Sequence, residues 1–183
     1  MLSGLKANSE TLFISQELDL PDTGLAVTRE VTLPLNTLER QVFVVTDIMA
    51  YITDSTGQGV MLPNQDIDAS WSVSSVNLES VIPAGATGNI GNPRVLAAGG
   101  YKKSIGASGV EQLYREWGTD NSTTGTPSDY LGIIATPDFF IRGQFLCANG
   151  GASGDLYVRI VGYMAIASAD TYAALVTQEV NNR

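Results

Sequence analysis

The sequence predicts an all-β protein, an antiparallel β-sandwich of jelly-roll type with about eight strands, a short helix in an insertion (about 108–118) and a C-terminal helix (about 169–180). Three observations point that way. Apolar and polar residues alternate with period two in segment after segment, and Gly, Pro and Asn/Asp turn signals separate the segments. Two of these segments, 138–147 and 154–167, flank the Gly-rich stretch 148–153, the pattern of two antiparallel strands joined by a loop. The 19 glycines, with Lys and Glu not abundant, favour strands and turns over helices.

A chain of 183 residues suits one domain, or one domain with an extension. At that length roughly 70% of the unfolded surface can be buried, so neither disulfide nor metal is needed to hold a core. The 44% apolar content supplies one, and a mean hydropathy of +0.08 argues against wholesale disorder. The expected division is an N-terminal extension (1–10), a jelly-roll sandwich (11–167) with an insertion at 99–130, and a helical tail (168–183).

In chain order, 11–15 is a short apolar strand, and Pro21 to Gly24 has the residues of a β-turn. Segment 25–33 alternates Leu25, Val27, Arg29, Val31 and Leu33 with polar neighbours until Pro34 ends it. In 41–54, both faces are apolar through the first half, which predicts a central strand covered on two sides. Segment 60–62 is stopped by Pro63; 70–78 alternates Trp71 and Val73 with serines; 94–97 precedes Gly99-Gly100. Val110, Leu113, Tyr114 and Trp117 fall at helical spacing, with Ser108 and Gly118 as candidate caps, inside an otherwise polar excursion. Segment 131–135 returns to strand before Thr136-Pro137 breaks it. Gly162 inside the last strand marks a bulge or a close backbone contact. Ser168-Ala169-Asp170 caps a terminal helix whose Tyr172, Leu175 and Val176 must dock on its own sandwich or on a neighbour.

The balance of 19 acidic against 10 basic residues, net −9, repels nucleic-acid phosphates. The largest basic run is Lys102-Lys103, and residues 1–28 carry Lys6 and, among basic side chains, nothing more, so no direct nucleic-acid partner is expected. The first residues lack the apolar stretch of a signal peptide and no segment approaches a membrane span, so cytoplasmic synthesis is expected. The single Cys147 lies in a strand pattern and reads as a small buried hydrophobe; with no His in the chain it has no obvious base to make it a nucleophile.

No motif commits the chain to an enzymatic reaction. Gly99-Gly100-Tyr101-Lys102-Lys103-Ser104 lacks the Gly before Lys-Ser and the following helix of a phosphate loop, and reads as an exposed basic loop. Segment 85–91 is Gly-rich but lacks the βαβ setting of a dinucleotide site. Asp66 and Asp68, in an oxygen-rich stretch, are the metal candidates, with Ca²⁺ the cation they would suit; no other cofactor is expected. Asn121-Ser122-Thr123 matches a glycosylation sequon, idle without secretion. Tyr101, Lys102, Lys103, Tyr114, Trp117, Tyr172 and Leu175 are the candidates for interface or surface roles, with Trp71 divided between core and surface.

The run from Gln41 to Ile48 followed late by the run from Leu156 to Tyr163 resembles small jelly-roll virion proteins, the single jelly-roll capsid subunits and receptor-binding heads of bacterial and archaeal viruses. The likeness covers most of the chain in general layout and carries over no functional residue. It implies a non-enzymatic, self-assembling subunit of the virion that contacts copies of itself and other virion proteins through loops, insertion and termini. The acidic balance then suits a shell separated from the genome, for example by an internal membrane, or a decoration or spike component. A carbohydrate-binding or adhesion module, with a glycan receptor on loop aromatics and Ca²⁺ at Asp66 and Asp68, is the alternative; a β-sandwich hydrolase ranks below both.

Overall fold

The structure, a computed structural model, describes residues 4–54, 66–88, 91–92, 94–105, 111–117, 130–147 and 152–181. Ten strands in two five-stranded antiparallel sheets make up most of them. In the first sheet β10 (Gly154–Ala167) is central. Along one side of it run β1 (Leu5–Ala7) and β2 (Leu12–Leu20) end to end; along the other runs β4 (Gln41–Asp54), which also carries the short β8 (Gly132–Ile134). The second sheet has the order β3 (Val27–Thr32), β9 (Asp138–Cys147), β5 (Ile67–Ser74), β6 (Val95–Ile105) and β7 (Glu111–Trp117).

With β1 and β7 set aside, the pairings identify the topology. Strands β2 and β10, β3 and β9, β4 and β8, β5 and β6 pair as the four rungs of one long folded ribbon. The ribbon is then wrapped so that β10 meets β4 and β9 meets β5. Eight strands wound in this way form a jelly roll. The first half of 41–54 is covered on both faces, as its two apolar faces predict. Phe43 and Val45 enter the main core, whereas Val42 and Val44 meet a second cluster on the outside.

Two expectations are corrected. The segments 138–147 and 154–167 are strands with those limits, but they are not a hairpin: β9 belongs to the second sheet and β10 to the first. Alternation reports which residues share a face, not which strand lies alongside, and the chain crosses between sheets at this point. The helix expected at 108–118 is also absent: 111–117 is an edge strand with Trp117 opposite Gly100 and Arg115 opposite Lys102. A helix of about eleven residues is marginal alone, whereas the long free edge of β6 offers a row of backbone partners, and Tyr and Trp suit a strand. Residues 99–104 accordingly lie inside β6 and form no loop. The expected strand at 60–62, the caps Ser108 and Gly118, and the sequon at 121–123 lie outside the described residues.

The inner faces interdigitate as the core. Leu18, Leu20, Phe43, Ile48, Leu156 and Ile160 of one sheet meet Trp71, Val73, Phe139, Ile141 and Phe145 of the other, with Cys147 buried among them. Trp71 is thereby a core residue. Helix α1 (Ala169–Asn181) folds back over part of the outer face of the first sheet. Ser168 caps it, its Oγ accepting the Thr171 N–H at 3.3 Å, and Tyr172, Leu175 and Val176 pack onto Val42, Val44, Ala165 and Ala167. The helix thus docks on its own sandwich.

On the second sheet's outer face lies the segment 75–88. Arg142 of β9, buried there, donates from Nε to Ala86 O (2.7 Å), from Nη1 to Thr28 Oγ1 (3.1 Å) and from Nη2 to Pro83 O (3.3 Å). Burial pushes its pKa down and the Glu79 charge pulls it back up. Ser72 Oγ donates to Thr87 O, and Thr87 Oγ1 to Ser70 Oγ. Carbonyls that a loop would otherwise bury unmet are therefore paired.

Candidate functional site: the open half of the outer face

The helix covers one half of the first sheet's outer face and leaves the other half open. The change comes at Thr46. Val161 opposes Asp47 and Gly162 opposes Val45, so Thr46 is an unmatched bulge residue, its Oγ1 donating to Val161 O at 3.1 Å. Gly162 is required here: a Cβ would meet Val44 O and lie 2.6 Å from Phe43 Cζ. Both the bulge and the close contact expected at Gly162 are present.

Beyond the bulge the register sets outward side chains in rows across β2, β10 and β4. Phe13, Val161 and Asp47 form the first row; Ser15, Arg159 and Met49 the second; Glu17, Tyr157 and Tyr51 the third; Asp19, Asp155 and Thr53 the fourth. Phe13 is 65% exposed, Met49 49% and Tyr51 60%. Large apolar side chains on a solvated sheet face are a departure from the usual polar alternation.

The third row holds the strongest contact. The Tyr51 and Tyr157 rings stack with centroids 5.0 Å apart and planes 15° from parallel. The Tyr157 phenol is hydrogen-bonded to Glu17. That bond first, then desolvation and the neighbouring charges of Glu17 and Asp155, raise its pKa above the ordinary value. Arg159 Nε lies 3.3 Å from Ser15 Oγ. Together with Gln16, Met49 and Val158 these residues line an open groove of about 410 Å³. It has an aromatic floor, one cation, one anion and hydroxyls at its rim, the mixture that small polar ligands with apolar faces recognise.

The residues singled out from sequence lie elsewhere. Asp68 stands on the outer face of β5 with its carboxylate 3.1 Å from Lys102 Nζ, an exposed ion pair; Asp66 directly precedes the strand. Tyr101 points inward in register with Ala69 and is part-buried against the core. Lys103, expected at the surface, is 2% exposed on the inward register opposite Ile67, a correction that follows from its place inside a strand. Tyr114 and Trp117 belong to β7, and their side chains lie outside the described residues. Tyr172 and Leu175 serve the helix–sheet contact. No residue of the groove was among the candidates. Its one legible signal was Met49 and Tyr51 on the second face of a strand whose first face was already apolar.

No family model matches the chain, and no curated protein matches it by sequence. Among solved structures it is similar to apo chimpanzee polyomavirus VP1, at 8% identity and a TM-score of 0.46, over 91% of this chain and 100% of that chain.

Proposed function

We propose that the protein is a virus structural subunit, a jelly roll that assembles with copies of itself, and with other virion proteins, into the shell. The observation that carries this is the presence of two separate exposed apolar surfaces on opposite faces of one jelly roll. Phe13, Met49 and Tyr51 lie on one; Leu146, beside Gly24 on the second sheet's outer side, and the exposed Leu25 next to that glycine mark the other. A subunit in a closed shell touches neighbours through different patches, and repeating head-to-tail contacts need two surfaces on each copy. Exposed apolar patches of this kind mark interfaces.

Light scattering and electron microscopy of the purified chain test the proposal. The expected outcome is a discrete assembly that Tyr51→Glu combined with Leu146→Glu converts to folded monomers. A wild-type chain that stays monomeric across a concentration and salt series would sink it.

The stacked Tyr51–Tyr157 pair favours a second function, receptor or carbohydrate binding, with a sugar face on the aromatic floor and its hydroxyls on Arg159, Glu17 and Ser15. A glycan array with wild type and Tyr51→Ala separates the two: sugar binding by a stable monomer selects the second.

A further inference from the structure

At the end of the open face, beyond the tyrosine pair, three carboxylates converge. Asp19 and Asp155 are direct partners in the β2–β10 register, and Glu17 stands one row away on the same face. Their ligand oxygens lie within 4.8 Å of one another. Like charges this close repel, so the arrangement favours any positive charge that can sit between them. Exposed acidic groups often cluster without consequence, and these three alone would decide nothing.

Thr53 adds an independent observation. It completes the same row on β4, directly opposite Asp155, with its side chain on the face that carries the carboxylates. It is 7% exposed, and its Oγ1 is buried without a hydrogen-bond partner. Buried hydroxyls are nearly always satisfied, and an exception at the margin of an anionic cluster is a neutral oxygen in want of a donor or a cation. Three carboxylates and a hydroxyl, all oxygen, on three adjacent strands are the donor set of a hard cation. Flexible side chains on an open face suit the irregular coordination of Ca²⁺ better than the strict octahedron of Mg²⁺.

We propose that Glu17, Asp19, Asp155 and Thr53 form a Ca²⁺ site on the outer face of the first sheet. Glu17, which is hydrogen-bonded to the Tyr157 phenol, has two carboxylate oxygens and so can accept that bond and still face a metal. Asp68, paired with Lys102 on the second sheet, and Asp66 just before that strand are not members of this cluster. Bound Ca²⁺ ties β2, β10 and β4 together at their shared end and removes the repulsion among the acids.

Terbium luminescence on the full-length chain tests the site, since Tb³⁺ takes Ca²⁺ positions and Tyr157 is close enough to sensitise it. Saturable emission displaced by Ca²⁺ is expected, with a dissociation constant of about 10⁻⁴–10⁻³ M, the range of sites with few protein ligands. Asp19→Asn and Asp155→Asn should each weaken binding at least tenfold. Thr53→Val, which keeps shape and removes the oxygen, should weaken it several-fold while leaving the circular dichroism unchanged. Ca²⁺ should raise the melting temperature of wild type and not of the Asp19→Asn/Asp155→Asn double variant. Lack of saturable binding up to about 10 mM, emission indifferent to the double variant, or emission lost instead in Asp66→Asn overturns the site. The assay does not depend on assembly, so its failure leaves the subunit proposal standing and the converse also holds.

Discussion

The Glu179 carboxylate bridges two consecutive backbone amides at the end of β8: Oε2 accepts the Thr136 N–H at 2.8 Å while Oε1 accepts the Ala135 N–H at 2.9 Å. All three residues are buried. Residues 43 positions apart in sequence are thus locked by the last turn of α1, which caps strand ends as well as covering apolar surface.

Replacing Glu179 with Ala leaves two buried N–H donors unmet, at about 1–3 kcal/mol for each. Urea unfolding should show that loss, with the helix amides exchanging faster than those of β10. A loss below about 0.5 kcal/mol would mean that water takes over both donors and that the helix end is not held there.

Gly162→Ala puts a methyl against Val44 O and within 2.6 Å of Phe43 Cζ. One neighbour is backbone and cannot swing aside, so the strand must shift. Overpacking of this sort costs about 1–3 kcal/mol. Gly24→Ala offers a contrast: a Cβ there lies 3.6 Å from Leu146 with room to spare, and its cost comes from the positive φ of 66°. The Gly162 variant should lower the denaturation midpoint more.

Arg142→Met removes the donors that meet the carbonyls of residues 83 and 86. The segment 75–88 should then lift from the second sheet and become a site of limited proteolysis. The loss expected is about 1.5–3 kcal/mol, the range for hydrogen bonds to a charged group. Arg142→Lys, with one point donor in place of a fork, should rescue little. A cleavage pattern identical to wild type would show that the serine and threonine contacts hold the loop unaided.

Stability should fall in alkali. Burial foremost, and the Asp22 charge after it, raise the Cys147 thiol above its ordinary 9.0, against a lowering hydrogen bond from the Ala152 backbone. The folded state then holds its proton where the unfolded chain has lost it. The contribution is complete below about pH 9 and disappears as the pH climbs through the folded pKa. Tyr157 shifts in the same direction from the surface. Urea midpoints between neutral pH and alkali should decline, and Cys147→Ala should make the decline shallower. An equal slope in that variant would assign the effect to other groups.

The limits of β4, β9, β10 and α1 follow closely from alternation and capping in the sequence, because burial on one or both faces leaves a periodic trace. Their partners left no such trace. Gly162 signalled a bulge, but that β10 lies between β2 and β4 depends on long-range register. Val110, Leu113, Tyr114 and Trp117 satisfy the helical spacing of 108–118, but the free edge that claims 111–117 belongs to another strand, β6. The groove was harder still to foresee. Glu17, Tyr51 and Tyr157 share a row although 106 residues separate the two tyrosines. Asp66 and Asp68 stood out as sequence neighbours, whereas the three carboxylates that meet in space come from two separate strands.

The central position of β10 has a consequence for biosynthesis. Its fourteen residues, Gly154–Ala167, are made long after those of β2 and β4, yet they separate these two strands and pair with both. Until β10 emerges, the first sheet lacks its middle, and two strands present edges that only it can join. Closure of the sandwich therefore waits for β10, in a slow step dominated by non-local pairing. Before that strand is in place the outer face is unfinished, so whatever that face binds can be engaged only afterwards.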